Sequence, residues 1–151
     1  MLQRKQTLFL LVALVALIAC LMLPVGRYQA TELGTESAVM CNLWIARAGV
    51  HELTPWPLFA ILLTSSVLLL ATILSYKNRK LQSRLCVGTF FLMLVWYAVY
   101  VLLTLNTSIP GTSFSVSFAA CLPLVAALAT LWARKGILYD EWLVRSADRI
   151  R

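Results

Sequence analysis

The long apolar parts of this chain hold nothing that could titrate. Of its 151 residues only 6 are acidic and one is histidine. No Asp, Glu, Lys, Arg or His falls within the hydrophobic runs 7–25, 58–76, 85–105 and 114–133. Ion-coupled transporters and proton relays keep an ionisable group inside the bilayer, and a four-helix multidrug exporter keeps a carboxylate there; neither has a residue to rest on here. Cysteine is scarce too. Cys20, Cys41, Cys86 and Cys121 form no C-x-x-C pair, which argues against a zinc knuckle, a thioredoxin-like dithiol and a quinone-linked disulfide enzyme. No His-Glu-x-x-His occurs. The one acid–base group outside the runs is His51-Glu52 with Glu36, and neighbours on an extended chain point to opposite faces. A solvated loop is the simpler reading of it. No catalytic residue, metal site or cofactor is expected, and the protein is not expected to be an enzyme.

What is present in excess is apolar surface. The chain is 61% hydrophobic and 13% charged, with a mean hydropathy of +0.84, more than a soluble core of this size can hide. The net charge of +7 is not spread as a phosphate-binding face would be. Apart from Arg27 and Arg47, the thirteen Lys and Arg residues gather in a leader (Arg4, Lys5), a hinge (Lys77, Arg79, Lys80, Arg84) and a tail from Arg134 onward. These segments alternate with the apolar runs. That is how topology determinants are arranged, so nucleic acid is not an expected partner. A charge at the bilayer centre costs about 2.5–3.5 kcal/mol, so the hinge must lie in water, and the positive-inside bias makes that water cytoplasmic.

The expected architecture is an all-α integral membrane protein, a four-transmembrane-helix bundle in one membrane domain, residues 1–151. Its spans are 7–25, 58–76, 85–105 and 114–133, with the hinge 77–84 and tail 134–151 in the cytoplasm. A small extracytoplasmic loop, 26–57, has 38–45 as a strand or a helix lying on the surface and 49–53 as a second short strand that would complete a small hairpin. The turn 106–113 is outside, broken by Pro110-Gly111. Pro123 should kink the fourth span. The tail reads as a C-terminal cytoplasmic helix, with Gly136 either breaking it from the fourth span or letting the two run on. Run 7–25 could also be a signal peptide, but no polar region of small residues closes it. Leu17-Ile18-Ala19-Cys20 matches a lipidation pattern, although Leu21-Met22-Leu23 continues apolar. A lipidated Cys20, or a disulfide from Cys20 to Cys41, stays open beside four inert thiols.

Two groups of residues invite a role. Ser113, Ser117 and Cys121 recur every four residues toward Pro123 and would let another helix approach closely. A lipid or small-molecule groove beside Pro123 is the functional reading of that stripe; helix packing is the plain one. On the cytoplasmic side, basic residues at span ends hold topology. That does not account for the amides and acids among them: Gln3, Gln6, Asn78, Gln82, Asp140, Glu141 and Asp148. With Arg4, Arg79, Arg84, Arg145 and Arg149 they are expected to form a cytoplasmic cap, carboxylates of the tail pairing with arginines of the hinge or leader.

The motifs around these residues resemble a known family. They are Gln3-Arg4-x-Gln6-Thr7-Leu8, Tyr76-Lys77-Asn78-Arg79-Lys80-Leu81-Gln82-x-Arg84-Leu85-Cys86, Asp140-Glu141-x-Leu143-Val144-Arg145-Ser146-x-Asp148-Arg149-Ile150-Arg151, and Thr54-x-Trp56-Pro57-Leu58. Together they are similar to domain-of-unknown-function family 4293, small membrane proteins of Bacteroidetes-type bacteria. The chain departs from that pattern at Ile137-Leu138-Tyr139, where more charge is expected. The resemblance implies a four-span protein of the bacterial inner (plasma) membrane with both termini cytoplasmic, and implies no activity. The expected role is a non-catalytic scaffold, assembly factor or accessory subunit. Its partners would be membrane lipids and, through the cytoplasmic face, another membrane or cytoplasmic protein. The alternative is a lipid- or small-molecule-handling protein.

Overall fold

A computed structural model describes residues 2–31, 36–76, 78–107 and 111–148; of 2–5, 144, 145, 147 and 148 it describes the backbone alone. The fold is mixed, not all-α. Four helices, α1 (Leu2–Met22), α2 (Trp56–Leu74), α3 (Arg79–Asn106) and α4 (Leu122–Asp148), carry a five-stranded antiparallel sheet at one end. Its strands are β1 (Gly26–Ala30), β2 (Ala38–Met40), β3 (Ile45–Arg47), β4 (Val50–Glu52) and β5 (Thr112–Val116), in the order β4-β3-β2-β1-β5.

The sheet corrects the expectation of an all-α bundle with a loop. A hairpin of two strands is marginal in water. Here β1 and β5 extend β2, β3 and β4, and β5 comes from the stretch after α3, far along the chain. Gly26 pairs with Val116, Tyr28 with Phe114 and Ala30 with Thr112. In β1 burial alternates, Tyr28 buried between exposed Arg27 and Gln29, and in β5 Phe114 and Ser115 both sit deeper than Ser113 and Val116. The β3–β4 turn has Ala48 at φ 49° and Gly49 at φ 79°, the pair of positive angles of a type I′ hairpin.

Three segments are long and apolar enough to cross a membrane: Trp56–Leu74, Arg79–Asn106 and Phe118–Leu143. The apolar part of α1, Gln6–Met22, is shorter. Among the described residues there are therefore three candidate spans plus a shorter apolar helix, where four spans were expected. The fourth run also begins differently. Residues 112–116 are strand, Phe118–Cys121 is a 3₁₀ turn, and α4 starts only at Leu122. Ser113, Ser117 and Cys121 therefore share no helix face. Pro123 is the second residue of α4, where a missing N–H costs no helical bond, so it starts the helix instead of kinking it. At the other end α4 runs unbroken through Gly136 into the tail.

Each helix packs beside two others, α1 against α4 and α2, α3 against α2 and α4. Close approach of α1 and α4 follows from small buried residues: Ala126, Ala129, Ala133 on α4 and Ala13, Ala16 on α1, at helical spacings. These alanines supply the small-residue seam that the serine stripe was expected to supply. Where the helices meet the sheet, side chains tie the layers. Asn42, fully buried after β2, donates Nδ2–H to the Cys20 carbonyl at 2.6 Å, satisfying one of the open carbonyls at the end of α1. From α3, Tyr100 donates to the Val25 carbonyl at 2.9 Å and Tyr97 to the Ala120 carbonyl at 2.7 Å. Trp96 is fully buried and stacks on Tyr100, ring centroids 5.1 Å apart.

Candidate functional site

The alternation of the helices places the start of α1, the α2–α3 turn and the last turns of α4 together, at the end opposite the sheet. The polar residues gather there. Gln6 of α1 donates Nε2–H to Asp140 Oδ2 at 2.6 Å, an interaction buried from solvent. Arg79 of α3 donates an Nη1–H to the Asp140 backbone carbonyl at 3.1 Å. Gln82 and Ser83, one turn further along α3, are buried as well. At Asp140 the carboxyl meets an amide, and the arginine takes the main chain.

The sequence supports this locally at two points. Asn78 caps α3, its Oδ1 accepting from Leu81 N–H at 3.3 Å, which fixes where Arg79 leaves the turn. Gly136 makes room for Gln6. A Cβ there would stand 2.8 Å from Gln6 Cγ and 3.2 Å from Nε2. Gly136 lies one turn before Asp140 on the same face, so the missing side chain is what lets Gln6 reach the carboxyl. Of the two readings left open for Gly136, the helix runs on through it, and its missing side chain serves packing.

Beside this cluster lies an open groove of about 580 Å³, within the range typical of small-molecule pockets. Its polar end is Gln6, Arg79 and Gln82, with Tyr76 at the rim; its wall is Leu8, Leu11 and Val12 of α1. Among the described residues no acidic side chain lines it. Beyond its bond to Asp140, Arg79 has no other hydrogen bond among the described residues, which leaves further N–H donors of its fork for a ligand. A smaller hollow, about 300 Å³, runs along α4 past Trp132 and Arg134.

The remaining expected site residues are placed as follows. Arg84 is exposed on α3, and Glu141 is partly buried on α4. The side chains of Gln3, Arg4, Arg145 and Asp148 lie outside the described residues, as does Arg149. At the sheet end, His51 and Glu52 are exposed on β4, and the His51 ring meets the Trp44 ring edge-on, 5.6 Å between centroids. Burial pushes the Tyr28 hydroxyl and the Cys41 thiol up from their ordinary values. Cys20 and Cys41 are free thiols, not a disulfide, and Cys20 is fully buried. Among the described residues no three of His, Cys, Asp and Glu come together as metal ligands would. Sequence reasoning picked Gln6, Arg79, Gln82 and Asp140 by their polarity. It missed Tyr76, Leu8, Leu11 and Val12, because in a wholly apolar run nothing marks which face stays open.

A polar head of amides and one guanidinium continuing into an aliphatic wall is what an amphiphile needs. The chain belongs to the family described as Domain of unknown function (DUF4293), which matches residues 2–150. Among curated proteins none matches it.

Proposed function

We propose that this is a non-catalytic protein of the bacterial inner membrane that holds a lipid in the groove between α1 and the α2–α3 turn. The observation that carries the proposal is the groove itself, with Arg79, Gln6 and Gln82 at one end and Leu8, Leu11 and Val12 along its wall. In this reading the polar end faces the cytoplasm. Arg79, Lys80, Arg84, Arg134 and Lys135 lie toward it, while Arg27 and Arg47 are in the sheet at the outer face. Lipid headgroups of the inner leaflet then stand level with Arg79 and Tyr76. The apolar wall that runs on from the polar end favours this over a scaffold role, since Leu8, Leu11 and Val12 offer a surface to an acyl chain.

Filling the groove tests the proposal. Leu11 is 52% exposed on the wall, so Leu11→Trp adds bulk to the groove without entering the core. The full chain extracted in mild detergent should carry a phospholipid by native mass spectrometry. Leu11→Trp should lose it, and Leu102→Trp, on an exposed face of α3 away from the groove, should keep it. Equal lipid on all three proteins would contradict the proposal.

A further inference from the structure

We infer that the groove selects an anionic phospholipid, and that Arg79 is the residue that reads its phosphate group; this rests on the groove being a lipid site. Charge decides the occupant. Among the described lining residues the one ionised group is a guanidinium, and none of them carries a carboxyl. Asp140, whose main chain holds Arg79, is 7% exposed and has its carboxyl occupied by Gln6. Arg79 is held by the Asp140 carbonyl at 3.1 Å through one nitrogen. The anchored fork keeps further parallel donors, the geometry that grips a phosphate through two hydrogen bonds. Its position in the first turn of α3 adds the positive end of that helix on the same side. Gln6 and Gln82 bring amides to the polar end, suited to the hydroxyls of a polyol headgroup. The aliphatic wall begins within two residues of Gln6, at Leu8, and continues at Leu11 and Val12, so a headgroup on Arg79 sends an acyl chain down α1.

The inference separates one lipid class from another. A zwitterionic headgroup presents its own cation beside the phosphate and gains less from an arginine than an anionic one does. One basic side chain at the membrane surface is worth about fivefold in affinity for anionic lipid, and a fixed two-point contact more. The probe is an equimolar mixture of phosphatidylglycerol and phosphatidylethanolamine with identical acyl chains, given to the delipidated full chain and read by native mass spectrometry.

The unmodified protein should retain phosphatidylglycerol at least about fivefold over phosphatidylethanolamine. Arg79→Gln should bring the ratio close to one. Lys80→Gln, exposed and outside the groove, should leave it unchanged. Should Arg79→Gln fail to fold, Arg79→Lys keeps the charge without the fork and should give an intermediate ratio. Equal retention of the two lipids by the unmodified protein overturns the inference, and so does displacement of phosphatidylglycerol by millimolar inorganic phosphate, which would make the ligand a free anion. Leu11→Trp keeps the two levels apart. If it removes both lipids while their ratio on the unmodified protein is one, the groove holds lipid but does not select it. If it removes neither, the groove reading itself fails.

Discussion

Gly26→Val should lower the stability of the protein by about 2–5 kcal/mol, from overpacking and lost ring contacts together. A Cβ at Gly26 would stand 2.6 Å from both Cε2 and Cζ of Phe114 on the neighbouring strand. The ring cannot simply swing aside. It packs on Tyr28 at 4.9 Å and on Tyr100 at 6.4 Å between centroids, and Tyr100 is bonded to the Val25 carbonyl next to Gly26. Thermal unfolding in detergent, followed by aromatic circular dichroism, should show the midpoint falling by about 5–15 °C. The specific test is the double variant. With Phe114→Ala the obstacle is gone, so the same valine should lose at least about 1 kcal/mol of its penalty. Additive effects would mean that β1 and β5 do not lie side by side.

Gly136→Val should cost about 2–5 kcal/mol at the opposite end of the molecule. The valine displaces Gln6, whose Cγ is 2.8 Å from the position of the new Cβ, and Asp140 then loses the donor of its buried carboxyl. Replacing glycine in a helix returns only a few tenths of a kcal/mol. The variant should also carry less lipid, since Gln6 lines the groove. In a Gln6→Ala background the valine meets no obstacle, and its destabilisation should shrink by about 1 kcal/mol or more. An unchanged penalty there would show that Gly136 serves the helix and not the Gln6–Asp140 contact.

These two glycines also mark where sequence reasoning fell short. The apolar runs, the basic hinge and the helical tail are legible because charge is so costly in hydrocarbon that its absence delimits a span. The sheet is not legible in the same way. Thr112-Ser113-Phe114-Ser115-Val116 carries no charge, so it merges with the run that follows it, although its alternation of polar and apolar residues has the period of a strand. Gly26-Arg27-Tyr28-Gln29-Ala30 alternates too, but its partner β5 lies beyond two further helices, and local pattern cannot announce so distant a pairing. The polar site was half legible. Gln6, Arg79, Gln82 and Asp140 stand out as groups that topology alone does not require, whereas the role of Gly136 depends on a helix contact between residues 130 positions apart, as the Gln6–Asp140 bond at 134 also is. The groove wall could not be found at all, since Leu8, Leu11 and Val12 read like every other residue of their run.

The most direct measurement is photocrosslinking in the purified full chain, with a photoreactive leucine at position 11 or, as a control, at position 102. Both sites are exposed on apolar helix faces, 52% and 58%, and only the first lines the groove. After extraction and thorough detergent exchange, irradiation should attach a phospholipid at position 11 and detergent at position 102. Detergent at both positions, or phospholipid equally at both, would contradict a lipid site in the groove.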